Sequence, residues 1–269
     1  MFTRLNPRFA LYVLTILIAL VNFAPRAARA QDEANGPTSL VITYKAKPET
    51  RAAFRAYMEK QGAAQFAQWQ KEGVFRNAQL LFSSYAGSNT FDLAVILDFS
   101  HYTDLARWKE IEKQLPGGLP SEALVLGAPD SASFADVLSR GAAERRDRAK
   151  AVYMVASYKV VTDANRYRKY VDAYTVPQMN GWISAGVLSA YTMYLNQNPA
   201  GAPWDALLVL EYKDLAGLAR REIVKAKVRE QLALSDPAWK AWSADKGAVR
   251  NEIGIAIAEA IAPTVAISK

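Results

Sequence analysis

The chain has 269 residues, of which 33 are basic and 26 acidic, so its formal net charge is +7. It contains no cysteine and a single histidine, His101. This composition excludes thiol nucleophiles, disulfides and thiolate metal sites, and it makes a Ser-His-Asp triad or a multi-histidine metal site hard to assemble.

The first 30 residues are typical of a secretory signal peptide. Arg4 and Arg8 supply the positive start, residues 9–24 are mostly apolar, and residues 28–30 form a small-x-small cleavage site. The apolar run has 16 residues and includes Asn22. It is therefore shorter than the ~20 residues that a spanning helix needs. We expect cleavage and export, to the periplasm or outside the cell, rather than an uncleaved anchor.

Cleavage changes the charge of the protein. The leader contains four basic residues and no acidic one, which leaves 33 − 4 = 29 basic and 26 acidic residues, a net charge of +3. So mild an excess does not indicate nucleic acid or an anionic membrane as a partner. The chain also lacks the GxxxxGK[ST], GxGxxG, HExxH and GxSxG motifs, so no nucleotide, zinc or acyl-enzyme site is indicated.

Residues 31–39 are interpreted as a polar tether, and a first structural unit follows at residues 40–150. Its pattern predicts, in order, a strand at 40–45, a helix between Pro48 and Gly73, strands at 78–85 and 91–99, and a helix at 102–114. Two segments compete for the last strand, 123–127 and 134–140, and we prefer the second. The charged stretch 140–150 is interpreted as a solvated connector rather than a binding patch.

A second unit with the same order of elements occupies residues 151–269. The pattern predicts a strand at 152–160, a helix with an apolar stripe from Tyr167 to Tyr174, strands at 191–196 and 204–212, helices from Leu215 and Pro237, and a closing strand at 253–261. Pro177 has no N–H to donate and disfavours helical geometry in the residue before it. We therefore expect the first helix to break into an irregular stretch over residues 174–182.

The two units share one recognisable stretch. Residues 91–107 and 204–220 align without a gap at a shift of 113, and 5 of the 17 columns are identical. The identical columns are Asp92/Asp205, Leu97/Leu210, Leu105/Leu218, Ala106/Ala219 and Arg107/Arg220. The match indicates a duplicated structural unit.

The third strand of each unit is apolar at its centre on both sides, which is typical of strands buried on both faces. In the first unit, the odd-numbered residues 93–99 are expected to face the helices. The even-numbered residues 92–98 form the other side, which is apolar in the middle and acidic at both ends. A single βαββαβ unit leaves that side bare, so we expect the second unit to cover it, sheet against sheet.

This arrangement resembles the dimeric α/β-barrel superfamily, with two repeats fused in one chain over residues 40–262. The resemblance implies an α+β fold of tandem ferredoxin-like βαββαβ repeats, whose antiparallel sheets pack face to face as an intramolecular α/β barrel with the helices outside. It leaves the function open, because the superfamily includes monooxygenases, dye-decolourising peroxidases, chlorite dismutases, lactone isomerases, polyketide cyclases and stress proteins.

Three residues are catalytic candidates. Haem-using members of the superfamily hold iron through one histidine, so the resemblance makes His101 a candidate axial ligand; the alternative is an exposed residue at a helix start, where the second unit has Asp214. Asp98 and Glu211 occupy matched strand ends, where a carboxylate inside an apolar barrel can act as a general base. The alternative for this pair is a structural carboxylate that accepts N–H bonds at the following helix start.

Lysines and aromatic residues are the ligand-binding candidates. Lys45 and Lys159 are matched and are expected on the interior face, where they either hold an anionic ligand or reach water at a strand end. Tyrosine is frequent in pockets for planar organic molecules and is concentrated in the second unit. Helical spacing assigns most of the tyrosines of the first helix to the core. We expect the ligand-binding residues to be Lys45, Tyr153, Lys159, Asn180, Trp182, Tyr191 and Met193.

The main hypothesis is therefore an exported protein that binds a small hydrophobic or aromatic molecule between the sheets. If it is an enzyme, cofactor-independent acid/base chemistry such as isomerisation, cyclisation or lyase action is expected, with no metal. The first alternative is a haem-dependent oxidoreductase or monooxygenase. The second alternative is a non-catalytic envelope or stress protein whose barrel is packed solid.

Overall fold

The structure, a computed structural model, describes residues 36–87 and 90–262. The predicted signal peptide and most of the tether lie outside the described residues, as do Ser88 and Asn89, between the strands predicted at 78–85 and 91–99. Within the described ranges, no helix is long and apolar enough to cross a membrane.

The first half contains four strands and one long helix followed by shorter ones. The elements are β1 Thr38–Ala46, α1 Arg51–Tyr57, α2 Ala63–Lys71, β2 Asn77–Ser83, β3 Leu93–Phe99, α3 Leu105–Gln114, α4 Ser121–Leu124 and β4 Gly127–Ala142. A π-helical turn, Met58–Gly62, joins α1 to α2 without a break. Gly73 ends this helix at φ 74°, a left-handed conformation that favours glycine.

The second half has the same order of elements, except that it has one more α-helix before its last strand. They are β5 Val152–Val160, α5 Ala164–Tyr170, α6 Val176–Ser184, β6 Leu188–Asn196, β7 Ala206–Tyr212, α7 Leu215–Ala219, α8 Arg221–Ser235, α9 Pro237–Asp245 and β8 Arg250–Ala260. A π-helical turn, Val171–Thr175, joins α5 to α6, 113 residues after the π turn of the first half. The offset is the same as that of the third strands β3 and β7.

The helix break expected at Pro177 is wrong. The chain stays helical through the π turn and Pro177 is the second residue of α6. In the π turn the N–H of Val176 donates to the carbonyl of Val171, five residues back. Pro177 therefore falls in the first turn of a new α-helical segment, where its missing N–H removes little. The stretch 174–182, expected to be irregular, is helical throughout, π-helical to Thr175 and α-helical from Val176.

The eight strands of the described residues form one closed antiparallel barrel in the order β1-β3-β2-β8-β5-β7-β6-β4. Each half supplies four adjacent strands, and the halves join at two edges, where β2 pairs with β8 and β4 pairs with β6. The predicted α+β class and the barrel with helices outside it are confirmed. The two sheets are more closely joined than face-to-face packing requires, because hydrogen bonds connect their edges.

The closing strand β4 is longer than either segment considered for it. Residues Gly127–Ala135 pair with β1, and residues Ala135–Ala142 pair with β6. The preferred segment 134–140 lies inside the strand, whereas most of the rejected segment 123–127 lies in α4 or the turn after it. One strand thus completes the first sheet and then crosses to the second.

The alternation of the third strands separates three apolar cores. Leu93, Val95, Leu97 and Phe99 pack under the helices of the first half, as predicted. The helices of the second half cover a matching core that includes the outward residues of β7. The inward residues of all four sheet-centre strands fill the barrel, among them Val41, Ala94, Ile96, Val155, Leu207 and Val209. Burying each large apolar side chain stabilises the fold by roughly 1.5–3 kcal/mol.

Candidate functional site

The packed centre of the barrel leaves a cavity at each end. The larger has a volume of about 910 Å³, and the smaller, at the opposite end, of about 180 Å³. Only the first lies in the range of ~300–1,000 Å³ that is usual for small-molecule sites. Its wall combines apolar residues of the strands with charged residues of the strand ends, including Leu80, Ile96, Asp98, Arg140, Arg146, Arg148, Tyr153, Tyr194, Val209 and Glu211.

Asp98 and Glu211 face the same large cavity because β3 and β7 both end there. The sequence matched these two carboxylates by position, and the structure brings them to one site. Neither has the structural role that was considered as the alternative. In the second half that role belongs to Asp214, whose Oδ1 accepts a bond from Gly217 N.

The two carboxylates have different partners. Asp98 accepts hydrogen bonds from Ser39 Oγ at 2.7 Å and Asn77 Nδ2 at 3.3 Å, both neutral groups. Among the described residues no cationic group lies within 4.0 Å of it. Glu211 is 3% exposed and forms a two-pronged ion pair with Arg146, whose Nε is 2.9 Å from Oε1. Asp98 is thus the anionic group of this cavity that is available to a ligand.

Tyrosine hydroxyls complete the wall on the second-half side. Tyr153 OH donates to Glu211 Oε2 at 3.0 Å, and burial together with the Glu211 charge raises the pKa of Tyr153 to about 12. Burial, with a smaller contribution from the Asp98 charge, also raises the pKa of Tyr194 well above its usual value. Both phenols therefore remain protonated donors at neutral pH.

The connector 140–150 is more than a solvated link, which corrects its interpretation from the sequence. Arg146 reaches from it to the buried Glu211, and Arg140 and Arg148 also line the cavity. No ion pair is formed by Arg140 or Arg148 with any described residue. The cavity therefore offers two uncommitted guanidinium groups beside the single unpaired carboxylate, an arrangement that suits an anionic or strongly polarised ligand.

Lys45 and Lys159 lie at the other end of the barrel. Lys45 lines the small cavity and its Nζ donates to Gly87 O at 2.7 Å. Lys159 Nζ donates to Ala202 O at 2.9 Å and to Asp205 Oδ1 at 3.0 Å. The structure does not bring these lysines together with Asp98 and Glu211.

The remaining ligand-binding candidates divide between the interior and the outside of the barrel. Tyr153 lines the large cavity. Tyr191, at the cavity edge, and Met193 pack in the helix-facing core, because the inward residues of β6 are Thr192 and Tyr194. Trp182 is buried in the same helix-facing core, and Asn180 is exposed on α6. The positions of Trp182 and Asn180 follow from the continuous helix that replaces the expected break.

His101 does not line either cavity. Its side chain is 60% exposed, its Nδ1 is 3.6 Å from Asp104 Oδ2, and its backbone begins a short helical turn. The large cavity consequently offers no imidazole, and its residues do not fit a haem held by histidine. No group of three or more metal-ligating side chains occurs in the described ranges.

No sequence family matches the chain, and no curated protein matches it. Solved structures do match its fold. An anthrone oxidase-like protein is 13% identical, with 87% of this chain and 97% of that chain covered and a TM-score of 0.51. A proposed monooxygenase of Fusobacterium nucleatum subsp. nucleatum ATCC 25586 is 10% identical, with 84% and 93% covered and a TM-score of 0.49. Chlorite dismutase from Candidatus Nitrospira defluvii is 9% identical, with 84% and 91% covered and a TM-score of 0.47. These neighbours are dimeric α/β-barrel proteins, and at such identities the similarity concerns the fold.

Proposed function

We propose that the protein is an exported, cofactor-independent oxidoreductase of the monooxygenase type that acts on an aromatic compound in the large cavity. The observation that carries the proposal is Asp98, a carboxylate without a cationic partner that faces the cavity beside uncommitted arginines. The name of the anthrone oxidase-like neighbour suggests the substrate class to test first. The proposal keeps the aromatic ligand of our main hypothesis and takes its reaction class from the alternative.

The cavity supports binding of a planar molecule with an acidic group. Ile96 and Val209 give it an apolar floor, and Tyr194 adds an aromatic side wall. Arg140 and Arg148 supply positive charge that stabilises a phenolate or enolate, because charge-assisted hydrogen bonds are stronger in a partly desolvated site. Glu211 does not draw these two arginines away from the ligand, since Arg146 already neutralises its charge.

The proposed reaction needs only dioxygen as co-substrate. Asp98 accepts a proton from an activated methylene group of the substrate, and the electron pair delocalises into the adjacent rings. The carbanion reduces dioxygen, a C–O bond forms, and return of the proton gives a hydroperoxide. Loss of water then leaves a carbonyl group. In sum, a methylene group and dioxygen become a carbonyl group and water, so carbon is oxidised, oxygen is reduced, and no external electron donor is required.

Oxygen uptake with anthrone as the probe substrate tests the proposal. Asp98→Asn removes the base without changing the shape of the side chain, and we expect oxygen uptake to fall about 100-fold or more. Asp130→Asn is the matched control, because Asp130 is an exposed acidic residue at the opposite end of the barrel. Equal rates in the wild type and in Asp98→Asn, or no uptake by the wild type with anthrone and its hydroxylated derivatives, would contradict the proposal.

We also propose that the leader is removed on export and that the two halves descend from one duplicated unit. The n-region, apolar run and cleavage site support the first point. The common offset of 113 residues for α1 and α5, the two π turns, and β3 and β7 supports the second. The intact mass of the protein recovered from cells expressing the full chain should correspond to a start at Gln31; recovery of the unprocessed chain alone would refute export by cleavage.

A further inference from the structure

The large cavity holds one positive charge in excess. Of the charged residues on its wall, Arg146 and Glu211 form an ion pair with each other. In the described part of the chain, Asp98, Arg140 and Arg148 form no ion pair. Two guanidinium groups and one carboxylate are thus left for a ligand, with a net charge of 2 − 1 = +1.

A β-bulge turns Arg140 toward the inside of the barrel. Ala135 of β4 lies in the barrel interior, and simple alternation would put Arg140 on the opposite, outer side. The register between β4 and β6 shifts between Val137 and Ser139, so Arg140 is paired with the inward residue Thr192. An extra residue in one strand reverses the sides of the residues that follow it. Arg140 therefore reaches the large cavity.

Arg140 lies on the same side of the cavity as Asp98. Burial and the Asp98 charge raise the pKa of Tyr194, and the charge of Arg140 opposes that rise. One phenol thus lies close to both charged groups, and all three line the cavity. When Asp98 takes a proton from a carbon next to a carbonyl group, the oxygen that becomes negative lies near Arg140. A fixed positive charge at that position stabilises the developing oxyanion.

Arg148 lies beside a different tyrosine. It belongs to the connector that follows β4, and Tyr153, near the start of β5, lines the cavity with it. Burial and the Glu211 charge raise the pKa of Tyr153, and the charges of Arg148 and Arg146 oppose that rise. Because Arg146 and Glu211 neutralise each other, Arg148 supplies the surplus positive charge on this side.

The strand order separates these two sides. Strand β5, which carries Tyr153, is three places from β4 around the barrel, with β6 and β7 between them. Neighbouring strands are roughly 4.8 Å apart, so three places correspond to roughly 14 Å along the barrel wall. The cavity therefore offers two positions for anionic groups, one near Arg140 and one near Arg148. Its volume of about 910 Å³ accommodates a ligand with fused rings that extends between them.

We propose that the substrate of the large cavity is an aromatic carboxylate, whose carboxylate group binds to Arg148 while its reacting oxygen lies near Arg140. This inference rests on the proposed function and names its substrate class. A guanidinium binds a carboxylate through two parallel N–H donors, and such charge-assisted bonds are stronger than neutral ones.

The charges of the site balance with such a substrate before and after proton transfer. Before the transfer, Asp98 and the substrate carboxylate balance Arg140 and Arg148. After the transfer Asp98 is neutral, and the enolate oxygen takes over its negative charge. A neutral substrate would instead leave the charge of Arg148 without a counterpart throughout the reaction.

Calorimetric titration of the full chain with 2-naphthoate and, separately, with 2-naphthamide tests the proposal. The two compounds have the same rings and differ in charge. We expect the Kd of naphthoate to be lower than that of naphthamide by about tenfold or more. Arg148→Gln should raise the Kd of naphthoate by about tenfold or more and leave that of naphthamide within about twofold. Arg148→Lys retains the charge and should keep part of the preference.

Matched variants identify the arginine that is responsible. Arg145 is exposed in the same connector and does not line the cavity, so Arg145→Gln should leave both Kd values unchanged. Equal Kd values for the two compounds in the wild type, or no heat with either, would overturn the proposal. A preference for naphthoate that Arg140→Gln removes and Arg148→Gln retains would also overturn it.

Failure of this inference can be told apart from failure of the proposed reaction. Neither naphthalene compound has an activated methylene group, so binding is measured without turnover. A preference for naphthoate that depends on Arg148, in a protein that consumes no oxygen with anthrone, would reject the oxidation and keep the carboxylate site. Oxygen uptake by a protein without this preference would keep the reaction and reject the aromatic carboxylate as its substrate.

Discussion

The two halves of the barrel place different side chains on the same framework. Asp92 and Asp205 accept bonds from the backbone of Ala46 and Val160, each at 2.9 Å, so this contact is a feature of both halves. The carboxylates at the other ends of the same strands differ, because Asp98 has neutral partners and Glu211 has Arg146. A property found in both halves is therefore attributable to the fold, whereas a property found in one half needs another reason.

The helix-facing cores differ in the same way. Under α1 and α2, the first half buries a network of phenylalanine and tryptophan rings, among them Phe66, Phe75 and Trp108. Under α5 and α6, the second half stacks Tyr170 on Tyr174, with ring centroids 4.9 Å apart. Both halves contain a π turn at the same place, so the π turn cannot account for the difference. The comparison points to the second half as the more specialised one.

Among the variants that test this difference between the halves, Arg146→Ala should have the largest effect on the free energy of unfolding. Removing Arg146 leaves Glu211, 3% exposed, without its countercharge, and unpaired buried charges are costly. Since the Arg146 side chain is itself 26% exposed, we expect a loss of about 2–3 kcal/mol in the free energy of unfolding, measured with urea. Arg148→Ala, at the same cavity but without an ion pair, should change stability by less than about 0.5 kcal/mol. Equal losses would show that Glu211 does not depend on Arg146.

A smaller effect is expected from exchanging one matched residue in each direction. Phe54→Tyr adds a hydroxyl to a site that is fully buried and has no acceptor identified for it, so it should destabilise the protein by about 1–3 kcal/mol. Tyr167→Phe removes a hydroxyl that lies beside Arg250 and has no acceptor for its own proton among the described residues, so it should change the free energy of unfolding by about 1 kcal/mol or less. Thermal unfolding of both variants shows whether each substitution raises or lowers the melting temperature. A loss with Tyr167→Phe as large as that with Phe54→Tyr would show that the chain fully satisfies the Tyr167 hydroxyl.

The sequence predicted the barrel because strand alternation is strict. The alternate residues 92–98 and 93–99 have only two faces to occupy, so their apolarity assigned the interior and the helix-facing core. The prediction failed at Pro177, because a π turn shifts the helix by one residue and leaves no mark in the apolar spacing. It also could not show that Arg146 meets Glu211, 65 residues away, since the connector has no periodic pattern.

The tyrosines of the helix-facing core in the second half illustrate the same limit. Helical spacing assigned Tyr167, Tyr170 and Tyr174 to the core, and all three are buried. That Tyr167 and Tyr170 lie beside Arg250 could not be predicted, because Arg250 is a strand residue far along the chain. A sequence comparison of the halves does contain a signal, namely Phe54 against Tyr167 and Phe99 against Tyr212, once the offset of 113 is applied to the whole chain.

The smallest expected effect concerns pH and tests the same asymmetry at the large cavity. Burial and Glu211 raise the pKa of Tyr153 to about 12, whereas Ser39, the matched residue of β1, does not titrate in this range. A phenol whose pKa is higher in the folded state stabilises the fold below its unfolded pKa of about 10, and this contribution is lost as pH rises from about 10 to 12. Tyr153→Phe should therefore remove about 1 kcal/mol of the fall in unfolding free energy across that window. Urea unfolding of both proteins at pH 9 and pH 11, about one pH unit on either side of the unfolded pKa, measures the difference. The same fall in unfolding free energy in both proteins would place the titrating group elsewhere in the second half. Tyr167, whose pKa is also raised to about 12, would then be the next residue to replace.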